Sequence, residues 1–98
     1  MATQLTPSEA KPRLTDFHVI VDVRSQKEWD GGHLTLPSVV HLEHTNPDTV
    51  AELEQSRNQR VLVHCEMGKR AGVVAKLLAE AGFSEVFVVV DGGYSKLV

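Results

Sequence analysis

The sequence predicts an α/β protein with a parallel central sheet of four to five strands and helices on both faces. Segments with strand character alternate with segments of helical periodicity, which is typical of βα units. Residues such as 88–90 are apolar on both faces, which indicates strands covered by helices on each side. Strands are predicted at residues 17–23, 39–42, 60–65 and 85–90, of which the second is the weakest.

Capping residues mark the first two predicted helices. Thr6 and Ser25 each open a capping box, which Glu9 and Glu28 complete three residues later. Pro12 would remove a backbone donor from a longer helix, so the first helix is expected to have only one or two turns.

Two further helices are predicted in the second half of the chain. The third is expected to open at Asn46-Pro47 and to turn Val50 and Leu53 inward. The fourth covers residues 69–81, and Gly82 is placed to end it in the left-handed conformation. Its apolar residues recur at helical spacing; they are Ala71, Val74, Ala75, Leu78 and Ala81.

Composition limits the possible functions. The 98 residues, 42% apolar and 23% charged, are expected to form one monomeric domain spanning residues 1–98. Acids and bases are mixed along the chain at a net charge of -3, which predicts no nucleic-acid or membrane partner. Residues 1–5 lack the pattern of a secretory signal, and a cytoplasmic protein is expected. A single cysteine can form neither an intramolecular disulfide nor a multi-cysteine zinc site.

That cysteine, Cys65, falls at the C-terminal end of a predicted buried strand, with a helix starting within about five residues. Ligand sites in open α/β sheets form outside these strand ends. A tight loop there turns backbone N–H groups inward, and the helix N-terminus adds further free donors. Because such donors stabilise an anion, the sulfur is expected to be ionised and nucleophilic.

The residues after Cys65 favour a reactive thiol over the alternative of an inert core cysteine. Gly68 gives the loop backbone freedom. Lys69 and Arg70 oppose the helix macrodipole at a small cost, which a bound anion would offset.

Three motifs in this sequence resemble those of the rhodanese family, and the resemblance covers residues 19–94. The active-site loop of the family, six residues with Cys first and Arg last, is similar to Cys65 through Arg70. The second motif of the family is a strand ending in Asp-Val-Arg, followed by Glu-aromatic and then Gly-His-aliphatic; it is similar to Asp22-Val23-Arg24, Glu28-Trp29 and Gly32-His33-Leu34. The third is a Gly-Gly-aromatic group, which is similar to Asp91-Gly92-Gly93-Tyr94.

The resemblance implies a rhodanese-like fold and a thiosulfate sulfurtransferase that works through a Cys65 persulfide. A small anionic donor such as thiosulfate would load the sulfur, a thiol or cyanide would accept it, and no metal or organic cofactor is implied. The loop that would bind the donor comprises Glu66, Met67, Gly68, Lys69 and Arg70. Lys69 and Arg70 would attract the donor and stabilise charge on the leaving group.

Two alternatives remain open. The domain could carry sulfur between a protein donor and a protein acceptor, because Glu66 lowers the positive potential beside the nucleophile. Phosphatases and arsenate reductases of the same fold carry Cys-x5-Arg. The loop from Cys65 to Arg70 is one residue shorter, which favours sulfur transfer.

Polar and aromatic residues outside the loop are given mainly structural interpretations. Asp22 and Arg24 lie beside the expected site and would either orient the loop or form an ion pair, Arg24 with Glu28 being one possibility; the structural role is favoured. Trp29 and Leu34 are expected in the core, and His64 beneath the sheet. His41 and His44 are expected to be an exposed pair rather than metal ligands.

Overall fold

The computed structural model describes residues 1–98 and contains one five-stranded sheet in which every neighbouring pair of strands is parallel. This confirms the predicted α/β class. The strand order is β1-β5-β4-β2-β3. The strands are β1 Thr3–Leu5, β2 Val19–Asp22, β3 Val39–His41, β4 Arg60–His64 and β5 Glu85–Val89.

The first strand is absent from the sequence prediction. Thr3 and Gln4 are exposed and only Leu5 is buried, so three residues carry too little pattern to indicate a strand. The segment becomes a strand because it pairs in parallel with β5, where Thr3 lies opposite Phe87. The four predicted strands are present with ends shortened by one or two residues.

Five α-helices connect and cover the strands: α1 Pro7–Ala10, α2 Gln26–Asp30, α3 Thr49–Glu52, α4 Lys69–Glu80 and α5 Tyr94–Leu97. Both predicted capping boxes are formed, at the starts of α1 and α2. Pro12 lies near the start of a 3-10 helix that follows α1 directly. Gly82, with φ of 96°, follows the end of α4 as predicted. None of the helices is long and apolar enough to cross a lipid bilayer.

The prediction that the third helix opens at Asn46-Pro47 is wrong. The side chain of Asn46 accepts a hydrogen bond from the amide of Asp48 at 2.8 Å, and its carbonyl accepts one from the Thr49 hydroxyl at 3.1 Å. These bonds close a turn that competes with the helix, as Asn side chains often do. Helix α3 therefore begins only at Thr49.

Alternation along β4 sends neighbouring side chains to opposite faces of the sheet. Val61, Val63 and Cys65 join the core on the side of α4, whereas Leu62 joins the core on the side of α1 and α5. His64 is fully buried. Helices thus cover both faces, and the C-terminal end of β4 brings Cys65 to the start of α4.

Candidate active site

The sulfur of Cys65 lies at the first residue after β4, and the residue is only 1% exposed. Two backbone N–H groups donate hydrogen bonds to Sγ, from Gly68 at 3.0 Å and from Ala71 at 3.4 Å. The second donor belongs to the first turn of α4. These two amides, which we call the cradle, can stabilise negative charge on Sγ although the sulfur is buried.

The cradle depends on a backbone conformation at Gly68 that favours glycine. Gly68 has φ of 104° and forms the N-cap of α4. A Cβ at this position would also lie 3.3 Å from both Val90 Cα and Asp91 N. The loop is therefore shaped both by its own dihedral angle and by contact with the segment after β5.

The C-terminal segment also holds the loop from the other side. The amide of Tyr94 donates to the carbonyl of Cys65 at 2.9 Å. A Cβ on Gly93 would lie 1.9 Å from that carbonyl oxygen, so only glycine allows these two segments of the chain to approach this closely. The Gly-Gly-aromatic motif thus has a steric reason: it packs against the backbone of the cysteine loop.

Replacing Gly93 by alanine is expected to lower the free energy of unfolding by about 2 kcal/mol or more, since the added methyl group collides with backbone that cannot move freely. Urea denaturation measures the loss. Gly72→Ala in α4 is the matched control, because nothing lies within 4 Å of its Cβ position, and it should leave stability unchanged or raise it. Equal stabilities for the two variants would contradict this account of Gly93.

The side chains of the loop point in different directions. Met67 is 76% exposed, and Lys69 is exposed and makes no ion pair. Glu66 accepts hydrogen bonds from the hydroxyl and the amide of Ser95 in α5. These contacts hold the acidic side chain beside α5.

Arg70 is bound to a carboxylate of α2. Its Nη1 lies 2.6 Å from Glu28 Oε1 and its Nη2 lies 3.0 Å from Glu28 Oε2. The Arg70 hydrogen bond is the main cause that lowers the pKa of Glu28 to about 2. The suggested ion pair between Arg24 and Glu28 is therefore wrong, because Glu28 is paired with Arg70.

Arg24 instead forms a buried ion pair with Asp22 of β2. Its Nη2 lies 2.9 Å from Asp22 Oδ2 and its Nε 3.0 Å from Oδ1, and the two residues are 3% and 0% exposed. The same guanidinium donates to the carbonyl of Gly32 at 2.7 Å and lies 4.1 Å from the centre of the Tyr94 ring. Arg24 thus joins β2 to the segment that contacts the Cys65 carbonyl.

Asp22→Asn is expected to lower the free energy of unfolding by about 3 kcal/mol, because it leaves the buried Arg24 charge without its counter-ion. Denaturant unfolding with a matched control, Asp16→Asn, tests this. Asp16 pairs with Arg13 at the surface, where the loss should be under about 1 kcal/mol. A similar small loss for both variants would refute the role of the buried pair.

His64 packs beneath the sheet, as predicted. Its Nδ1 lies 3.3 Å from the carbonyl oxygen of Cys65, and its Nε2 has no hydrogen-bond partner and lies 3.8 Å from Asp22 Oδ2. Burial lowers the pKa of His64 below 6.5, against a smaller opposing effect of the Asp22 charge. The side chain is therefore uncharged at pH 7.

His64 should make the fold less stable in mild acid. The unfolded chain protonates this histidine near pH 6.5 and the folded chain resists it, so stability is present above pH 6.5 and is lost as pH falls below it. The loss is expected to reach up to about 1.4 kcal/mol between about pH 7.5 and 5.5. Urea denaturation of His64→Asn should show a flatter pH dependence, whereas the exposed His44→Asn should behave like the parent protein.

Trp29 is half-buried rather than part of the core, which corrects its prediction, whereas Leu34 is buried in the core as expected. The indole stacks on His33 and His41, with ring centres 3.6 and 4.7 Å apart. His41 is partly buried and its Nε2 lies 2.7 Å from the carbonyl of Arg24, so only His44 of the expected exposed pair is exposed. No cluster of three or more His, Cys, Asp or Glu side chains is placed to hold a metal ion.

The two grooves on the surface lie away from the cysteine. One, of about 450 Å³, runs between β1 and α4, and the other, of about 440 Å³, lies beside His41. None of the residues 65–70 lines either groove. A small ligand at Cys65 would therefore be held by the loop itself rather than by a deep cavity.

Known proteins share this fold. A family model described as the rhodanese-like domain matches residues 6–98, and the chain therefore belongs to the rhodanese-like domain family. The crystal structure of a rhodanese-like domain protein from Staphylococcus aureus superposes with a TM-score of 0.72 at 26% identity, over 98% of this chain and 91% of that one.

Curated relatives carry names from sulfur chemistry. The thiosulfate sulfurtransferase GlpE of Coxiella burnetii is 32% identical over 74 residues, which are 76% of this chain and 66% of the relative. "Putative sulfur carrier protein YrkF" of Bacillus subtilis is 32% identical over 73 residues, which are 74% of this chain and 38% of the relative. The matches thus span about two thirds of the GlpE relative and well under half of the YrkF relative.

Proposed function

We propose that this protein is a sulfurtransferase that moves a sulfane sulfur from a donor to a thiophilic acceptor through a persulfide on Cys65. The donor is a small anion such as thiosulfate, and the acceptor is cyanide or a thiol. The proposal is carried by one observation: two backbone N–H groups donate hydrogen bonds to the sulfur of Cys65 at the junction of β4 and α4. A relative named as a thiosulfate sulfurtransferase supports the same chemistry.

Sulfur transfer needs two displacement steps. The Cys65 thiolate attacks the outer sulfur of thiosulfate, an S–S bond forms on Cys65, and sulfite leaves with the electron pair of the broken S–S bond. Cyanide or a thiolate then attacks the outer sulfur of the persulfide and releases the Cys65 thiolate. Charge balances in both steps, and no separate oxidant is required.

The cradle suits each negative sulfur along this path. Amides of Gly68 and Ala71 already point at Sγ, so the thiolate is stabilised before the donor arrives. The outer sulfur of the persulfide would extend into the loop, where Lys69 is free of ion pairs. Asp22 and Arg24 are positioning residues in this proposal, because they act through Gly32 and Tyr94 rather than on the sulfur.

Mass spectrometry of the intact protein tests the proposal. Incubation with thiosulfate should leave the protein one sulfur atom heavier with release of one sulfite, and cyanide should remove the sulfur as thiocyanate. Cys65→Ser should gain no sulfur and turn over no faster than the reaction without protein, while keeping the circular dichroism of the parent. Sulfur gain by Cys65→Ser would disprove the role of the thiol.

A sulfur carrier acting between proteins is the second candidate. Exposed Met67 at the loop and the name of the YrkF relative favour it. A carrier would hold its persulfide for a long time in the presence of cyanide and pass it quickly to a protein thiol. Rapid turnover of thiosulfate and cyanide by the purified protein alone would argue against this candidate.

A further inference from the structure

Exposed apolar side chains are concentrated beside the cysteine loop. Six large hydrophobic side chains are exposed in the whole chain, and two of them belong to the terminal residues. A third, Val40, lies on the edge strand β3. The other three are Met67, in the loop that follows Cys65, and Val73 and Leu77 of α4. The exposed apolar surface is therefore gathered on one side of the candidate active site.

The helix places this surface within reach of the reacting sulfur. Val73 and Leu77 are four residues apart, so they lie on the same side of α4. The helix rises about 1.5 Å per residue, which places Leu77 about 9 Å along the axis from Ala71. The amide of Ala71 donates to Sγ of Cys65. The buried residues of α4 occupy a different side of the helix, so packing within the domain does not account for Val73 and Leu77.

Two lysines flank the apolar side chains. Lys69 lies one turn before Val73 and Lys76 lies one turn after it, so all three share a side of α4. Both lysines are exposed and neither forms an ion pair. The chain as a whole has a net charge of -3, so this strip is opposite in sign to the rest of the molecule. We call Met67, Lys69, Val73, Lys76 and Leu77 the α4 face.

Acidic side chains near the α4 face are either engaged elsewhere or lie at its far end. Glu66 accepts hydrogen bonds from Ser95 of α5, and Glu28 binds Arg70. Glu80 is exposed in the last turn of α4, about 16 Å along the axis from the start of the helix. Close to the thiol, the α4 face therefore combines positive charge with apolar surface. Such a surface complements acidic and apolar side chains on a partner.

We propose that the α4 face is the docking surface for a protein acceptor, whose thiol is surrounded by acidic and apolar side chains. This inference rests on the proposed sulfur transfer and assigns its acceptor. The partner's thiolate attacks the outer sulfur of Cys65–S–SH, and the bond between the two sulfurs breaks. The Cys65 thiolate leaves with the electron pair, and the partner keeps the sulfur and its proton as R–S–SH. No oxidant is required.

A membrane surface fits the α4 face less well than a protein does. Segments that bind anionic lipids carry about four to eight basic residues. The α4 face carries only Lys69 and Lys76, and the net charge of -3 would oppose approach to anionic lipid. The combination of few charges and exposed apolar side chains is instead typical of a protein interface.

Synthetic peptides provide acceptors of defined chemistry. Three peptides of equal length each carry one cysteine with two leucines nearby, and the remaining flanking positions hold glutamate, glutamine or lysine. The parent protein is loaded with sulfur and mixed with each peptide, and mass spectrometry follows the sulfur from Cys65 to the peptide. Each rate is corrected for the thiolate fraction of the peptide, since flanking charge changes that fraction. Cyanide is the acceptor that needs no docking.

The parent protein should prefer the glutamate peptide. Its corrected rate should exceed that of the lysine peptide by about 5- to 10-fold at low salt, with the glutamine peptide between them. The difference should shrink at high salt, because the two lysines are exposed and their charges are screened.

Two variants separate the charge of the α4 face from its apolar surface. Lys76→Glu should lower the preference for the glutamate peptide by about fivefold. Val73→Gln/Leu77→Gln should slow transfer to that peptide by about 3- to 10-fold, and glutamine is a good helix former that should preserve α4. Transfer to cyanide should change by less than about twofold in both variants, since these side chains donate nothing to Sγ.

Arg60→Glu is the matched control for the change of charge. Arg60 lies at the opposite end of β4 from Cys65 and forms no ion pair. This variant should match the parent protein with every acceptor. Urea denaturation of all variants verifies that each is folded.

The outcomes distinguish a failure of docking from a failure of sulfur transfer. Equal corrected rates for the three peptides, or an unchanged preference in Lys76→Glu, would overturn the docking role while leaving sulfur transfer intact. So would binding of the parent to phosphatidylserine vesicles that Lys76→Glu abolishes, or self-association that Val73→Gln/Leu77→Gln abolishes. A parent protein that takes up no sulfur from thiosulfate or from cysteine persulfide would instead overturn the proposed function.

Discussion

The buried ion pair between Asp22 and Arg24 fixes the end of the sheet at which the candidate site lies. It is costly to bury two charges, and the cost is offset only because Asp22 accepts several hydrogen bonds and Arg24 also reaches Gly32 and the ring of Tyr94. Tyr94 in turn binds the carbonyl of Cys65. Asp22, Gly32 and the distant Tyr94 thus meet at the Arg24 guanidinium. The position of Cys65 depends on this arrangement through the Tyr94 amide.

Much of this arrangement could be predicted from local sequence. The capping boxes are short-range patterns that located the starts of α1 and α2. The apolar stripe, also a short-range pattern, located α4, the helix that begins beside the thiol. The partners of charged side chains could not be predicted in this way. Glu28 and Arg70 are 42 positions apart, and nothing in the local pattern distinguishes Arg70 from Arg24 as the partner of Glu28. Likewise, the need for glycine at position 93 follows only from the path of the neighbouring loop.

Glu28 illustrates how one side chain can serve a fold and a site together. Its carboxylate accepts hydrogen bonds from Ser25 at the start of α2 and from Arg70 at the start of α4, so it links the N-termini of these two helices. Negative charge is favourable at both termini. In the proposed mechanism a thiolate at Cys65 would be a second negative charge near the same end of α4, where the first turn carries two cations, Lys69 and Arg70.

The strand order also dictates when the thiol reaches its final surroundings during synthesis. Strand β1 pairs with β5, and Lys11 hydrogen-bonds the carbonyl of Val98, so the earliest and latest parts of the chain close on each other. Gly93 and Tyr94, which brace Cys65, are made almost 30 residues after it. Because a chain is synthesised from its N-terminus, Cys65 leaves the ribosome before Gly93 and Tyr94 do. The contacts of Gly93 and Tyr94 with the Cys65 carbonyl therefore cannot form until these two residues have been made.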